Sequence, residues 1–449
     1  MDPVVERYAS IATPRYTSYP TAPQFQRGFS EDVYQGWLKK LNPDAPISLY
    51  IHVPFCRQMC WYCGCNMKLV KREGPLKAYV EGLLAEIALL ANALPARMSV
   101  AHLHWGGGTP TALAPDDLER VMTAVRAAFD LLPDAEIAIE SDPRTLTPNM
   151  IQRLAALGFT RASFGVQEFD PEVQRAINRI QPPEMVAETV DLFRRNGIDA
   201  INFDLIYGLP YQTTAKLLDT IRLVSEMAPD RIALFGYAHV PWVAKNQRMI
   251  PESALPAPRE RAEQANCAAL AIVDAGYEAI GIDHFAKPHD GLSVAKRSGR
   301  LRRNFQGYTD DASDTLLGVG ATSIGRTPMG FIQNQPETGA WARAIEAGEL
   351  PVAKGLQLQG EDTLRAAVIE RIMCDGAADP DALGRNFGAR PGWWADAAER
   401  LEDLAADGLV QVGDSGITLT KRGAPLARVV AAAFDSYLPA GTARHSAAL

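Results

Sequence analysis

The chain reads as an α/β protein: a full or partial (β/α) TIM-like barrel of parallel strands, with an N-terminal arm and a small C-terminal winged-helix-like α+β domain. Three observations predict this. Short β-rich runs alternate with helical patterns from Ile47 to Asp283, which is the rhythm of parallel βαβ units. Three helical segments end in Gly158, Gly197 and Gly276 and turn at once into a strand, as a left-handed helix cap requires. Several of the runs end in Gly or polar residues (Gly106 to Gly108, Glu140, Gln167, Asp204), and in a β/α barrel such ends line one mouth. A doubly wound open sheet is the competing architecture.

In chain order, residues 1–46 form the arm, where "PRYTSYPTAPQF" is too rich in Pro and aromatics for a regular element. Residues 47–355 form the barrel domain with an extension. Its runs are "ISLYIHV", "VAHLHWGGG", "AEIAIES", "RASFGVQ", "AINFDLIYG", "RIALFGYAHV" and "YEAIGID". Leu76, Val80, Leu83, Leu84 and Ile87 recur at three and four and predict a helix after the first run. Thr147 before Pro148 reads as an N-cap with Pro at the first helical position. Residues 356–449 hold two helices, the second around "WWADAAERLEDLAADG", then a hairpin "LVQV-GDSG-ITLT" and a last helix.

The bulk composition narrows the function. The 449 residues are 47% hydrophobic and 22% charged, with a net charge of −8, which argues against a general nucleic-acid or anionic-membrane surface. "MDPVVERYAS" lacks the basic start and apolar core of a secretory signal, and the expectation is no membrane span. Six cysteines, four of them clustered, suit metal or redox chemistry in a reducing compartment. A cytoplasmic location follows as the expectation.

The cluster lies in "YIHVPFCRQMCWYCGCN". Cys56, Cys60 and Cys63 form C-x3-C-x2-C, and Cys65 adds C-x-C. Thiolates at these spacings can wrap a compact iron–sulfur centre. Zinc also takes thiolates, though its usual pattern is two pairs separated by a long insert. "GGGTPT" after the second run supplies Gly107 and Gly108, where missing side chains let backbone approach a ligand. Glu140 and Asp204 can accept from an ammonium group or from hydroxyls, and Arg179 can pair with a carboxylate. His52 and His104, on strands, read as core histidines.

The three-cysteine loop behind a first barrel strand, with aromatic Tyr62 before the third Cys, resembles the radical S-adenosylmethionine (SAM) superfamily. Within it, "PRYTSYPTA", "YIHVPFC…CGCN", "HWGGGTPT", "IESDPR", "FGVQEF", "DLIYGLP", "YAHVP", "DHFAKP" and "NFQGYT" are similar to the oxygen-independent coproporphyrinogen III oxidases along nearly the whole chain. The resemblance implies one [4Fe-4S] cluster held by Cys56, Cys60 and Cys63, with one iron open for SAM and Cys65 not a ligand. It implies one or two SAM molecules lined by Tyr50, Tyr62, Gly107, Gly108, Thr109, Glu140, Gln167, Arg179, Asp204, Ala238 and Ile324. Tyr62 is often Phe in the family, and "GVGATSIG" around Ile324 departs from its wording.

The implied reaction is oxidative decarboxylation of two propionates of a tetrapyrrole to vinyl groups, started by a 5′-deoxyadenosyl radical. The implied partners are that small-molecule substrate and an electron-donating reductase system, with no nucleic acid, and the protein a monomer. A macrocycle with four propionates needs apolar walls and cationic or amide anchors. "KRSGRLRRNFQGY" offers Arg303 and Gln306, and the arm offers Arg15 with Tyr16 and Tyr19 as a lid. The alternatives are a haem-binding chaperone-like paralogue, or an electron carrier whose cluster is closed by Cys65.

Overall fold

The computed structural model describes residues 3–9, 11–413 and 416–438. It divides into two compact units. The sheet unit comprises residues 25–256 and 313–357, and the helical unit comprises residues 1–24, 257–312 and 358–449.

In the sheet unit, six parallel strands follow one another in chain order. They are β1 (Ile47–Val53), β2 (Ser99–Gly107), β3 (Asp130–Ser141), β4 (Arg161–Gln167), β5 (Ala200–Tyr207) and β6 (Arg231–Gly236). Each pairs with the next without reversal, and β7 (Leu316–Val319) returns to lie parallel beside β1. A doubly wound sheet would reverse its order at a switch point. The unreversed order, open at its edges, is that of a partial barrel. Three antiparallel strands extend it beyond β7: β8 (Ile324–Thr327), β9 (Gly330–Asn334) and β10 (Val352–Gln357).

Local chemistry explains the crossovers. β1 is buried at six of its seven positions, as expected for a strand covered on both faces. The helix Glu73–Ala93 buries Leu76, Val80, Leu83 and Ile87 and leaves Leu84 half-buried. Thr147 caps the helix Pro148–Ala156 by accepting from the Met150 N–H. Gly158 and Gly197 end their helices at φ +82° and +84°. The helix Glu73–Ala93 is tied to the antiparallel extension by buried Glu86. It accepts from the Gly320 N–H (2.7 Å), Asn334 Nδ2 (2.6 Å) and Trp341 Nε1 (2.9 Å).

The helical unit departs from expectation at three places. "YEAIGID" supplies only Glu278–Ile280, which pairs antiparallel with His284–Ala286 as a short hairpin. Tyr16 and Tyr19 are not offered to a ligand. Both are buried in a core with Val368, Ile369, Ile372, Leu401 and Val430. Their hydroxyls meet Asp435 Oδ2 (3.0 Å) and Ser436 Oγ (2.9 Å). Their apolar rings fill a core and their polar tips find partners there, as buried tyrosines do. The C-terminal part, where the sequence predicts two helices before a hairpin, has three, Asp362–Asp375, Pro380–Asn386 and Ala395–Ala406, then the paired strands Val410–Gly413 and Gly416–Leu419. The hairpin turn at 414–415 lies outside the described residues.

Candidate active site

The cysteine loop leaves β1 and is closed at its base by Phe55–Cys56 pairing with Lys68–Leu69. A loop this irregular leaves many backbone carbonyls without a ladder to accept from. Here Asn246 Nδ2 donates to the carbonyls of Cys60 (3.2 Å), Trp61 (3.1 Å) and Cys63 (2.8 Å). Gln247 Nε2 donates to Tyr62 O (2.7 Å) and Ala238 O (3.1 Å), and Asn178 Nδ2 to Met59 O (2.7 Å). These three amides shape the loop, and the sequence reading did not single them out.

Each of the three thiols has its own polar partner. Cys56 Sγ lies 3.4 Å from Thr109 Oγ1. Cys60, buried, receives Arg144 Nη2 and Arg179 Nη1, both at 3.3 Å. Cys63 Sγ accepts from the Cys65 N–H at 3.4 Å, and hydrogen bonding by Cys65 draws its thiol down to about 7. Among the described residues no three His, Cys, Asp or Glu side chains group around a single ion. Thiols with polar N–H or O–H partners suit the ligands of an iron–sulfur cluster, because donors to sulfur stabilise the thiolate and the cluster charge.

The strand ends carry the second part of the site. Tyr50 on β1 stacks on His104 of β2 (centroids 5.9 Å, 17°), and its hydroxyl lies 2.9 Å from His52 Nδ1. Glu140 on β3 meets His104 Nε2 at 3.2 Å and accepts from the Gly107 N–H at 3.0 Å. Burial opposes its ionisation, yet the hydrogen bond and charge of His104 and the Gly107 N–H hold its carboxyl below the usual value. Asp204 on β5 behaves oppositely. Burial and the nearby charge of Glu140 push it up to about 7, against Arg179 and His104. His104 is therefore a partner of the site's carboxylate and not a core histidine.

The glycines serve the protein before any ligand. A Cβ on Gly106 would sit 2.6 Å from Glu140 Oε1, on Gly107 2.6 Å from the His52 ring, and on Gly108 2.8 Å from the Phe55 backbone. Gly107 also holds φ +115°, which a side chain would strain. The missing side chains thus admit Glu140, His52 and the Phe55 backbone.

Gln167 ends β4 in the left-handed region at φ +67°, unusual for its type. Arg179 donates to Gly165 O through Nε (2.9 Å) besides Cys60. Tyr62 packs with Trp61 against Val173, Ile177, Leu209 and Tyr237. Ile324 opens β8 opposite Gln333 and enters none of these hydrogen bonds. Arg15, Arg303 and Gln306 belong to the helical unit. There the Arg303 guanidinium lies over the Tyr308 ring at 4.3 Å, with Nε and Nη1 buried and unpartnered, as is Gln306 Oε1. Asp283 meets His284 Nδ1 at 2.6 Å. Burial opposes the ionisation of Asp283, but the charges of His284, Arg303 and Arg15 hold it down to about 2.

Comparison with known proteins agrees with this geometry. Residues 50–224 match the radical SAM superfamily. The chain is 50% identical over 442 residues to the oxygen-independent coproporphyrinogen III oxidase of Bradyrhizobium diazoefficiens, covering 98% of each chain. It is 41% identical to the enzyme of that name from Helicobacter pylori, covering 97% of this chain and 96% of the relative. The solved structure of coproporphyrinogen III oxidase from Escherichia coli, a radical SAM enzyme, is similar at 38% identity with a TM-score of 0.91. That match covers 94% of this chain and 98% of the other.

Proposed function

Because this chain belongs to the oxygen-independent coproporphyrinogen III oxidases of the radical SAM superfamily, we propose that it turns two propionates of coproporphyrinogen III into vinyl groups, giving protoporphyrinogen IX. The observation that carries the reading is the loop of three thiols, each with its own hydrogen-bond partner. Relatedness along nearly the whole chain favours the oxidase over a haem-binding paralogue.

A [4Fe-4S] cluster and SAM, when bound, supply a hydrogen-abstracting radical, and each propionate that loses hydrogen, CO2 and one electron becomes a vinyl group. The chain's own residues do the rest. Cys56, Cys60 and Cys63 would hold the cluster through three thiolates, a set one ligand short of closing it against SAM. Glu140, kept ionised by His104 and Gly107, accepts from a cationic or hydroxyl group of the cofactor. Arg179 offers a guanidinium to a carboxylate, and Asp204 a second acceptor. Tyr50, Tyr62, Thr109, Gln167, Ala238 and Ile324 complete the walls for one or two SAM molecules.

In the helical unit, the unpartnered Arg303 and Gln306, with exposed Arg15, suit the carboxylates of the substrate. Among the described residues no helix is long and apolar enough to cross a membrane. With the acidic charge and the clustered cysteines, the reading is a cytoplasmic monomer served by a reductase that donates single electrons. An anaerobic assay of the reconstituted protein with coproporphyrinogen III tests this directly. Vinyl product with matching 5′-deoxyadenosine is expected. Cofactor cleavage without vinyl product, or an iron–sulfur spectrum unmoved by SAM, overturns it.

A further inference from the structure

Cys60 differs from its two fellow ligands in what surrounds it. Arg144 and Arg179 both reach its sulfur at 3.3 Å, and all three side chains are buried. Asp142 holds the two arginines. It takes Arg144 Nε at 2.9 Å and Nη2 at 2.6 Å, and it lies 3.4 Å from Arg179 Nη1 and Nη2. The Asp142 carboxylate also caps the turn Pro143–Thr145 by accepting from the Arg144 N–H, so the pair is fixed to the end of β3. Two guanidiniums and one carboxylate leave a single positive charge in a buried place, where an uncompensated charge is costly. One thiolate balances it.

We propose that Arg144 is a positioning residue for the cluster: its guanidinium, braced by Asp142 against Cys60, raises the cluster's reduction potential. This rests on the reading of Cys60 as a ligand. One electron from a low-potential donor protein, or from dithionite in vitro, takes the cluster from its 2+ to its 1+ state and adds one negative charge beside Cys60. Fixed N–H donors and positive charge at a ligand sulfur favour the reduced state. Arg144 thereby brings the first electron within reach of its donor.

The test is a redox titration of the reconstituted holoprotein, without SAM or substrate, followed by electron paramagnetic resonance. Arg144→Gln is expected to shift the midpoint to more negative potential. At a fixed solution potential the reduced-to-oxidised ratio should fall about tenfold, which is about 59 mV for a one-electron couple. Arg144→Lys, keeping charge without the fork onto Asp142, should move it less in the same direction. A cluster-loaded Arg144→Gln with an unchanged midpoint overturns the proposal. If that variant holds no iron, an unchanged midpoint in Arg144→Lys overturns it, and loss of iron from both variants does so too, by making the residue purely structural. An unsubstituted protein that binds no cluster would instead remove the ligand assignment beneath it.

Discussion

The arginines beside the cysteine loop in the sheet unit and Arg303 of the helical unit are buried in opposite ways. At the strand ends of the sheet unit, Arg144 and Arg179 find Asp142, Cys60 and the Gly165 carbonyl. In the helical unit, Arg303 has two buried N–H groups with no acceptor, and Gln306 beside it in sequence has an unmatched carbonyl oxygen. A buried donor without a partner costs about 1–3 kcal/mol, more when charged. A charge that is always matched suits a resident group such as a cluster. N–H groups that wait without an acceptor suit a ligand that arrives with its own carboxylates and then leaves.

The largest effect should come from the resident side. Cys56→Ala, Cys60→Ala and Cys63→Ala should each abolish cluster retention and activity, read as iron content and the visible chromophore. An intact cluster in any of them breaks the comparison at its root. Next, Arg303→Met should weaken binding of a porphyrin tetracarboxylate by roughly 10- to 150-fold, the worth of one charged hydrogen bond at about 1.5–3 kcal/mol. The same change should alter thermal stability of the ligand-free protein little, since it removes two buried N–H groups without acceptors along with a cation that favours ionised Asp283. A fall in stability with binding unchanged would make Arg303 structural.

Glu140→Gln should keep full iron and weaken SAM binding, again by roughly 10- to 150-fold. Equal affinity would remove Glu140 from the cofactor site. A smaller effect concerns pH. Asp204 in the ligand-free site keeps its proton up to about pH 7, and a cationic cofactor prefers the ionised carboxylate. SAM affinity should therefore rise with pH by up to about tenfold per unit below 7, and level off above. Asp204→Asn should flatten that slope, and a slope that survives the change excludes Asp204. Smallest of all, Cys65→Ser should leave iron content and the spectral response to SAM unchanged. Loss of iron there would make four thiolates the ligands.

Much of the sheet unit was legible because its signals are local. Strand runs, the Thr147 cap and the glycine helix ends each depend on neighbours in sequence, and the cysteine spacing does too. The braces of the loop were not legible. Asn246, Gln247 and Arg144 act on backbone or sulfur far along the chain, and single polar residues in such segments follow no period. Tyr16 and Tyr19 misled for a related reason. An aromatic beside Pro and Arg has the composition of a ligand lid and of a core anchor alike, and only the distant partners Asp435 and Ser436 distinguish the two. The hairpin at 278–286 shows the same limit, since a three-residue strand carries no pairing direction in its sequence.

The hold of Asn246 on the cysteine loop also orders events in time. Its side chain secures carbonyls 183 to 186 positions earlier in the chain. On a ribosome adding about 5–20 residues per second, the cysteines emerge roughly 10–40 s before the amide that shapes them. During that interval the thiols stand on an unshaped loop, open to oxidation or to a stray metal. Iron delivered then would meet the wrong geometry. Loading should therefore wait until synthesis has passed β6.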